Sequence, residues 1–490
     1  MNQGPNANRD GWWAMLVVGG IILFVNALTY QSWVWQPMHD MATPVSAIWP
    51  YWLAFLLCWI LITVWLVVCA RHGGLAVGPG AMCVVLFISI IFRIVVCGTQ
   101  PVLSDDIWRY IHDGAVMGGG DNPYVQAPAD IPPDQMPVPK LAERMNNPEL
   151  VTIYQPTSQF VFAGLDRAWE WLPRSLQRLD PNHDKVFRLG FALFDLAIIG
   201  LILFQLRSMG RSAWWAVAYA WHPLTISEVA GSGHQDVIGI AFLLLSLVLA
   251  GRWVKLGEEE AGALIRKRFL ISVLAGVAFG LAVGVKPLVL PIALVLAWVL
   301  RRRPKVVAVS AVATMLTGVA LYLPFILMEG GLTGMIQTMR TFVDKWAFNG
   351  SVYDLVSSYI VGKPWVDYLV VMVLLAVIVL SLSRRFTGRN PDAMRTAGVF
   401  LFASLLVSST VHPWYLLWAL ALLPMYFSPS LWVFSLVVVA SYAAHLYPGY
   451  RVPTWVVVLE YLPVYAVVGW ELWTRTRDGL PFSGQSQIAG

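Results

Sequence analysis

The chain consists mostly of long apolar runs separated by polar connections. Fourteen apolar segments can be located, at 12–30, 48–70, 79–97, 187–206, 212–230, 235–251, 269–285, 287–300, 304–327, 366–382, 396–411, 413–428, 430–446 and 454–473. Helices span a membrane with about 20 apolar residues, whereas the runs are too long and too uniformly apolar for the alternating strands of an outer-membrane barrel. Some are short and contain proline, such as 287–300, and we expect these to be broken or re-entrant. The pattern predicts an all-α fold, a polytopic transmembrane helical bundle of about 12–14 spans.

Composition supports this prediction and excludes other classes. Hydrophobic residues make up 58% of the 490 residues and charged residues 12%, about half of the charged share of a soluble domain. The sequence contains no long Gly/Ser linker, low-complexity tract or internal repeat, so we expect one integral-membrane domain over 1–490. The four cysteines lie in or beside apolar runs without CxxC or Cys/His spacing, so we expect neither a disulfide framework nor a metal framework. A net charge of +5 without a basic, aromatic-interleaved patch gives no reason to expect nucleic acid as a partner.

Basic residues predict the orientation in the membrane. Of the 33 lysines and arginines, 19 lie at the N-terminus or on alternate connections, and the short connections of opposite parity hold only Lys286 and Arg451. This asymmetry places both termini in the cytoplasm. The first apolar segment lacks a strongly basic start and a cleavage site, so we interpret it as an uncleaved span.

Two long polar segments then fall on the external side. These are a first external loop at 98–186 and a second at 328–365, and we expect both to carry short interfacial helices, for example along Trp169–Leu179. A transporter would place its polar groups at the bilayer midplane. Polar residues collected at one face therefore favour an enzyme that works at the outer surface.

The most informative motif begins just after the third span. There the chain reads Ser104-Asp105-Asp106-Ile107-Trp108-Arg109-Tyr110-Ile111-His112-Asp113, followed by Asn122-Pro123-Tyr124. Ser104 is the predicted N-cap of a short helix. Two adjacent carboxylates at the mouth of an apolar bundle have pKa values that burial raises and a nearby arginine lowers, and such a group can serve as general base for a hydroxyl. The alternative is a capped interfacial helix with ordinary charge pairs.

Three further segments carry candidate chemistry. A glycine-rich turn, Glu228-Val229-Ala230-Gly231-Ser232-Gly233-His234-Gln235-Asp236, could hold a ligand or be a tight polar connection, and it matches neither a Walker A nor a dinucleotide signature. Lys286 and Arg93 are cations at membrane depth, which are functional candidates unless they snorkel to the interface. Finally, His412-Pro413-Trp414-Tyr415 and the stretch around Asn349 combine rings with polar groups. Such groups suit a sugar, although an aromatic belt at the headgroup level is equally compatible.

In this order, the motifs resemble the GT-C superfamily of integral-membrane glycosyltransferases, and more narrowly the bacterial polyprenyl-phosphate-mannose-dependent mannosyltransferases. The resemblance rests on the Asp105-Asp106 motif, Asn122-Pro123-Tyr124, the 231–236 turn and the motif at His412. The turn departs from the expected His-Asn-Asp by reading His-Gln-Asp. The resemblance implies a GT-C-like fold, an external active site, a lipid-linked sugar donor and a first-loop carboxylate as base. Because the chain lacks the soluble C-terminal domain of oligosaccharyltransferases, the divalent metal that some members use is not favoured, and we expect no cofactor.

The sequence thus predicts transfer of a hexose, with mannose favoured, from a polyprenyl-phosphate donor to a glycan, lipid or protein acceptor at the external face of a bacterial inner or plasma membrane. Asp105 is the expected base, with Asp106 as alternate, and Arg109 and Lys286 are expected on the donor phosphate. Direct displacement would invert the anomeric centre. The expected sugar and acceptor pocket comprises Tyr110, Asp113, Asn122, Tyr124, His234, Gln235, Asp236, Asn349, His412, Trp414 and Tyr415. The alternatives are a non-enzymatic carrier or flippase of lipid-linked sugars and a surface-glycan polymerase or ligase.

Overall fold

The computed structural model describes residues 19–22, 48–71, 79–255, 262–353 and 392–478. The predicted span at 366–382, most of that at 12–30, both termini and the end of the second loop lie outside these residues. Among the described residues the regular elements are helices, and one isolated parallel bridge joins Phe348 and Thr410. In chain order the α-helices are α1 (Ile48–Arg71), α2 (Pro79–Cys97), α3 (Asp106–Gly119), α4 (Leu141–Arg144), α5 (Pro156–Glu170), α6 (Arg174–Gln177), α7 (Asp184–Ser208), α8 (Val217–Ala220), α9 (Pro223–Thr225), α10 (Asp236–Lys255), α11 (Gly262–Val283), α12 (Ile292–Val299), α13 (Pro304–Leu327), α14 (Thr333–Lys345), α15 (Ala393–Val407), α16 (Leu417–Leu420), α17 (Pro429–Val437) and α18 (Thr454–Asp478).

Seven helices of the described residues are long and apolar enough to cross a membrane. They are α1, α2, α7, α10, α13, α17 with the 3-10 turn Val438–Leu446 that continues it, and α18. Each of them matches a predicted apolar segment. Two shorter apolar helices, Pro287–Val299 and α15, match two more. The prediction of an all-α polytopic bundle is confirmed, and the protein is an integral membrane protein.

The segment 287–300, expected to be broken, consists of the 3-10 turn Pro287–Val289 followed by α12. Two more of the predicted spans that the structure describes are not continuous helices. The segment predicted at 212–230 consists of the 3-10 turn Ala213–Ala216, α8, α9 and the π-helical turn Ile226–Gly231. Proline removes a helical hydrogen bond and favours an extended residue before it. The break occurs at Pro223, where His222 has φ −60° and ψ 130°. The His222 ring accepts a hydrogen bond from the Leu224 amide. This segment is buried almost throughout, which is the setting in which membranes tolerate irregular backbone.

The segment predicted at 413–428 is broken in the same way. It begins with the 3-10 turn Pro413–Leu416, continues into the one-turn α16, and then runs through turns that contain Pro424. Both broken segments belong to the same buried core. Mean hydropathy could not distinguish them from spans, because a buried irregular segment is as apolar as a lipid-facing helix.

The first loop is folded, and its helices pack against one another. Helix α3 packs against α5, where Tyr110 stacks on Phe162 at 4.8 Å between ring centroids. The predicted interfacial helix along Trp169–Leu179 is wrong as a single helix, because Pro173 separates α5 from α6. Trp169 stacks instead on His183 at 3.6 Å.

Two buried arginines at membrane depth hold the core together. Arg93 pairs with Asp195 at 2.7 Å, and the Tyr219 hydroxyl donates to the same carboxylate at 2.8 Å. Arg93 is 1% exposed, so it does not snorkel to the interface. Arg188 pairs with Asp184 and donates to the carbonyls of Ala230 and Gly231 at 3.2 and 3.3 Å and to that of Thr99. Arg188 therefore fixes the glycine-rich turn against the end of α2.

Candidate functional site

Two adjacent carboxylates lie where the first loop enters α3. Asp105 occupies the N-cap position, which the sequence had suggested for Ser104, and the Ser104 hydroxyl still accepts from the Asp106 amide at 3.3 Å. The side-chain amide of Asn146 donates to both carboxylates, at 2.8 Å to Asp105 and 3.2 Å to Asp106. The Tyr110 hydroxyl donates to Asp106 at 3.4 Å. Both aspartates are half-buried, so they do not point into bulk water.

The surroundings of Asp105 make it a stronger base than an ordinary aspartate. Burial, and then the negative charge of Asp106, raise the pKa of Asp105 from its usual 3.8 to about 6. The hydrogen bond from Asn146 and the proximity of His234 oppose this rise only in part. A carboxylate with such a pKa is ionised at neutral pH and still accepts a proton readily, as a general base requires.

The glycine-rich turn brings His234 to these carboxylates. Gly233 has φ +77°, and a Cβ there would lie 2.6 Å from Ile107 Cδ1 and 2.8 Å from Arg188 Cγ. Only glycine fits this close approach and this left-handed conformation. The consequence is that His234 Nδ1 lies 3.7 Å from Asp106 Oδ2, with the imidazole fully buried.

Lys286 places a cation on the other side of the same turn. Pro287 keeps Lys286 extended, with φ −147° and ψ 108°. Its Nζ lies 2.9 Å from Asp236 Oδ1 and 3.5 Å from the centroid of the Tyr415 ring. The Trp418 indole also donates to Asp236 Oδ1, at 2.7 Å. Lys286 remains 22% exposed, so its ammonium can contact a further anion.

A column of stacked rings begins at His234. The His234 ring stacks on Trp414 at 3.8 Å, Trp414 on His412 at 4.3 Å, and His412 on Phe348 at 4.2 Å. The parallel bridge holds Phe348 in place through hydrogen bonds with Ser409 and Val411. Burial lowers the pKa of His412, as do His234 and Lys286 to a smaller extent, so His412 is a neutral ring at neutral pH.

Tyr450 ends the column and was not predicted from the sequence. It stacks on Phe348 at 5.2 Å and has φ +51°, a conformation that bulky residues rarely adopt. Burial raises the pKa of Tyr450, and so do the charges of Asp105 and Asp106, which reflects its proximity to both. With 40% of its surface exposed, it is the accessible end of the column.

Arg109 does not face the site. Its guanidinium donates to the carbonyls of Asn146, Asn147 and Leu150 at 3.1, 2.8 and 2.8 Å. These hydrogen bonds fix the segment that carries the Asn146 amide. The position of Arg109 therefore suits a role in shaping the carboxylate pair better than direct contact with a phosphate.

Several other predicted pocket residues join elements of the fold to one another. Asn122 ties the first loop to the second, and Asn349 ties the second loop to α18. The hydrogen bonds are Asn122 Nδ2 to the carbonyls of Glu329 and Gly331 at 3.0 and 2.9 Å, Tyr124 OH to the Tyr154 carbonyl at 2.8 Å, Gln159 Nε2 to Asp113 at 3.0 Å, Ser158 Oγ to Gln235 at 2.7 Å, and Asn349 Nδ2 to Glu460 at 2.6 Å. The structure thus brings together Asp105, Asp106, Tyr110, His234, Asp236, Lys286, His412, Trp414 and Tyr415.

Asn146, Tyr450 and Glu228 also line or support this cluster. They were not among the predicted site residues. Asn146 and Tyr450 carry no local signal, since their partners lie far away in the chain. Glu228 did offer one, because an ionisable residue at membrane depth is a functional candidate. Within the described part of the chain, no three His, Cys, Asp or Glu side chains converge as metal ligands.

Two protein-family models match parts of the sequence. Residues 153–409, just over half of the chain, match the model of glycosyltransferase family 87, and residues 364–473 match that of the MptB C-terminal domain. The chain is also similar to the crystal structure of ArnT from Cupriavidus metallidurans bound to undecaprenyl phosphate, with a TM-score of 0.46 and 15% sequence identity over 81% of this chain and 73% of that chain. No curated protein matches the sequence.

Proposed function

The chain belongs to glycosyltransferase family 87, and from this membership we propose that it transfers a hexose from a polyprenyl-phosphate donor to an acceptor hydroxyl, with Asp105 as the general base. The observation that carries the proposal is the half-buried carboxylate pair at the first loop, in which the pKa of Asp105 is raised to about 6. Mannose is the favoured sugar because the motifs of the chain resemble those of polyprenyl-phosphate-mannose-dependent mannosyltransferases. The acceptor is an envelope glycan, lipid or protein.

In the proposed reaction, Asp105 removes the proton of the acceptor hydroxyl as its oxygen bonds to the anomeric carbon. The bond from that carbon to the phosphate oxygen breaks, and polyprenyl phosphate leaves with both bonding electrons. One displacement inverts the anomeric configuration. The cation that stabilises the leaving phosphate is Lys286, whose side chain is 22% exposed and whose ammonium lies over the Tyr415 ring. Arg109 is assigned to loop geometry, because backbone carbonyls occupy its guanidinium.

The ring column supplies the sugar subsite in this proposal. Aromatic faces bury the apolar face of a hexose, and Tyr450 offers an accessible ring near Asp105 and Asp106. We further propose that the site opens on the external face of a bacterial inner or plasma membrane, with both termini in the cytoplasm. The support for this orientation is the basic asymmetry of the short loops.

The competing function is a carrier or flippase of lipid-linked sugars. A carrier also needs an apolar path and cations, but it has no use for a positioned base. A surface-glycan polymerase or ligase would share the donor and differ in the acceptor.

The test uses the purified protein in lipid with radiolabelled polyprenyl-phosphate mannose, its glucose counterpart, and extracted envelope acceptors. Wild type is expected to transfer label, and Asp105→Asn to lose more than about a hundredfold in turnover while binding the donor normally. Asp134→Asn removes an exposed carboxylate of the same loop and should behave as wild type. Transfer from neither donor, or full turnover by Asp105→Asn, would reject the proposal, and the second outcome would favour the carrier.

A further inference from the structure

Glu228 is a fully buried carboxylate that the proposed reaction does not use. It lies on the π-helical turn Ile226–Gly231, a form that occurs often at functional sites. One carboxylate oxygen, Oε1, accepts from the Tyr442 hydroxyl at 2.7 Å and from Ser227 at 3.2 Å. No lysine or arginine of the described residues pairs with it. A buried carboxylate is costly unless hydrogen bonds or a nearby cation compensate it.

The group that faces its other oxygen is the His234 imidazole. Nε2 of His234 lies 3.4 Å from Oε2 of Glu228, and Nδ1 on the opposite edge of the ring lies 3.7 Å from Asp106. Both residues are 0% exposed. These three atoms, Oε2 of Glu228 and both ring nitrogens, make no hydrogen bond within the described part of the chain. The imidazole therefore lies between two carboxylates at ion-pair distance, in a geometry that a bound substrate could tighten.

Resting on the proposed function, we infer that Glu228 is a positioning residue that acts through His234 and holds the imidazole as the cation between two carboxylates, with Nδ1 facing Asp106. An imidazolium at this place adds a positive charge beside the two first-loop carboxylates. It therefore opposes their protonation and keeps the base ionised at lower pH. Glu228 touches neither the donor nor the acceptor in this role.

The other charged and titratable groups around this unit come from several elements. Asp105 and Asp106 face His234 from the first loop, His412 lies in the ring column, and Tyr442 and Tyr450 come from the end of the chain. Lys286 lies over the Tyr415 ring and pairs with Asp236. Removal of Glu228 charge thus leaves the other groups in place, and its effect on His234 can be isolated.

The experiment is the pH dependence of label transfer by Glu228→Gln, with radiolabelled polyprenyl-phosphate mannose and extracted acceptors. Without the carboxylate, the positive charge beside Asp106 is no longer held in place, and Asp105 binds a proton at higher pH. The acid limb of the rate profile should move up by about one pH unit. Turnover at pH 6 should fall about fivefold, whereas turnover at pH 8 should stay within about threefold of wild type.

Two further variants make the result decisive. Tyr442→Phe removes one hydrogen bond to Glu228 and keeps the ring, so its acid limb should move the same way by a smaller amount. Glu471→Gln neutralises another buried glutamate, which accepts from Ser430 at 2.9 Å, and its profile should match wild type. If Glu228→Gln does not fold, as measured by thermal unfolding in lipid, Tyr442→Phe decides the question alone.

An equal loss of turnover at every pH, with the acid limb unmoved, would overturn the inference, because a purely structural role depresses the rate uniformly. An unmoved limb together with full turnover would overturn it as well. Either result leaves the proposed function standing so long as wild type transfers sugar. Failure of wild type to transfer label would instead reject the proposed function itself.

Discussion

Lys286 offers a sharp test of the site because its two roles can be separated. In Lys286→Met the Asp236 carboxylate, 3% exposed, keeps the Trp418 indole but loses its ammonium. Removing one member of a buried pair costs about 3–5 kcal/mol in the free energy of unfolding. Because Lys286 is 22% exposed, solvent screening reduces this cost, and we expect about 2–3 kcal/mol.

The double variant Lys286→Met/Asp236→Asn removes the orphaned charge and should recover most of that stability. It should not recover the affinity for the donor. A lost contact between an ammonium and a phosphate raises the donor KM by about tenfold or more, and we expect this rise in both the single and the double variant. Asp236→Asn, which keeps the ammonium, is the matched control and should hold the donor KM within about threefold.

The assay pairs thermal unfolding in lipid nanodiscs with the donor KM for radiolabelled polyprenyl-phosphate mannose. A double variant that regains both stability and a normal donor KM would show that Lys286 does not contact the donor phosphate. Lys286 would then serve only to neutralise Asp236, and the cation for the leaving phosphate would have to be sought elsewhere.

Three further substitutions test the glycine-rich turn, the role of Arg109 and the buried pair of Arg93 with Asp195. Gly233→Ala should lower turnover more than about tenfold and unfold at lower temperature, because the added Cβ meets two side chains at a left-handed residue. The control Gly200→Ala, with open space around it, should be neutral or stabilising. Equal behaviour of the two variants would contradict the tight approach at Gly233. Arg109→Lys should lower kcat and leave the donor KM within about threefold, whereas a large rise in donor KM at unchanged kcat would restore Arg109 to the phosphate. Arg93→Met should cost about 3–5 kcal/mol of stability because it strands Asp195, and an unchanged unfolding temperature would count against a structural pair.

Much of the fold could be predicted from local sequence. Hydropathy located the seven spanning helices, because each carries enough consecutive apolar residues by itself. It failed at 212–230 and 413–428, where apolar character reflects burial in protein rather than contact with lipid. Pro223 and Pro413 were local signs of a break in these two segments.

The site was predictable only where its residues are neighbours in the chain. Asp105 and Asp106 could be recognised as a pair from adjacency, and the motifs of the chain correctly indicated a membrane glycosyltransferase, which the family match confirms. The pairing of Lys286 with Asp236 spans 50 positions and left no local trace. The contacts of Arg109 could not be predicted from its neighbours in the chain. Its spacing to acidic residues suggests an ion pair, whereas its partners are carbonyls of a distant segment.

The central claim, that Asp105 is the general base, is tested most directly by the pH dependence of kcat/KM for wild-type transfer of radiolabelled mannose, because this profile reports the essential base of the free enzyme. If Asp105 is the base, kcat/KM has a plateau near neutral pH and falls tenfold per pH unit below about 6, the value to which burial and the charge of Asp106 raise the pKa of Asp105. A rate that stays constant down to pH 4.5, well below that pKa, would contradict it.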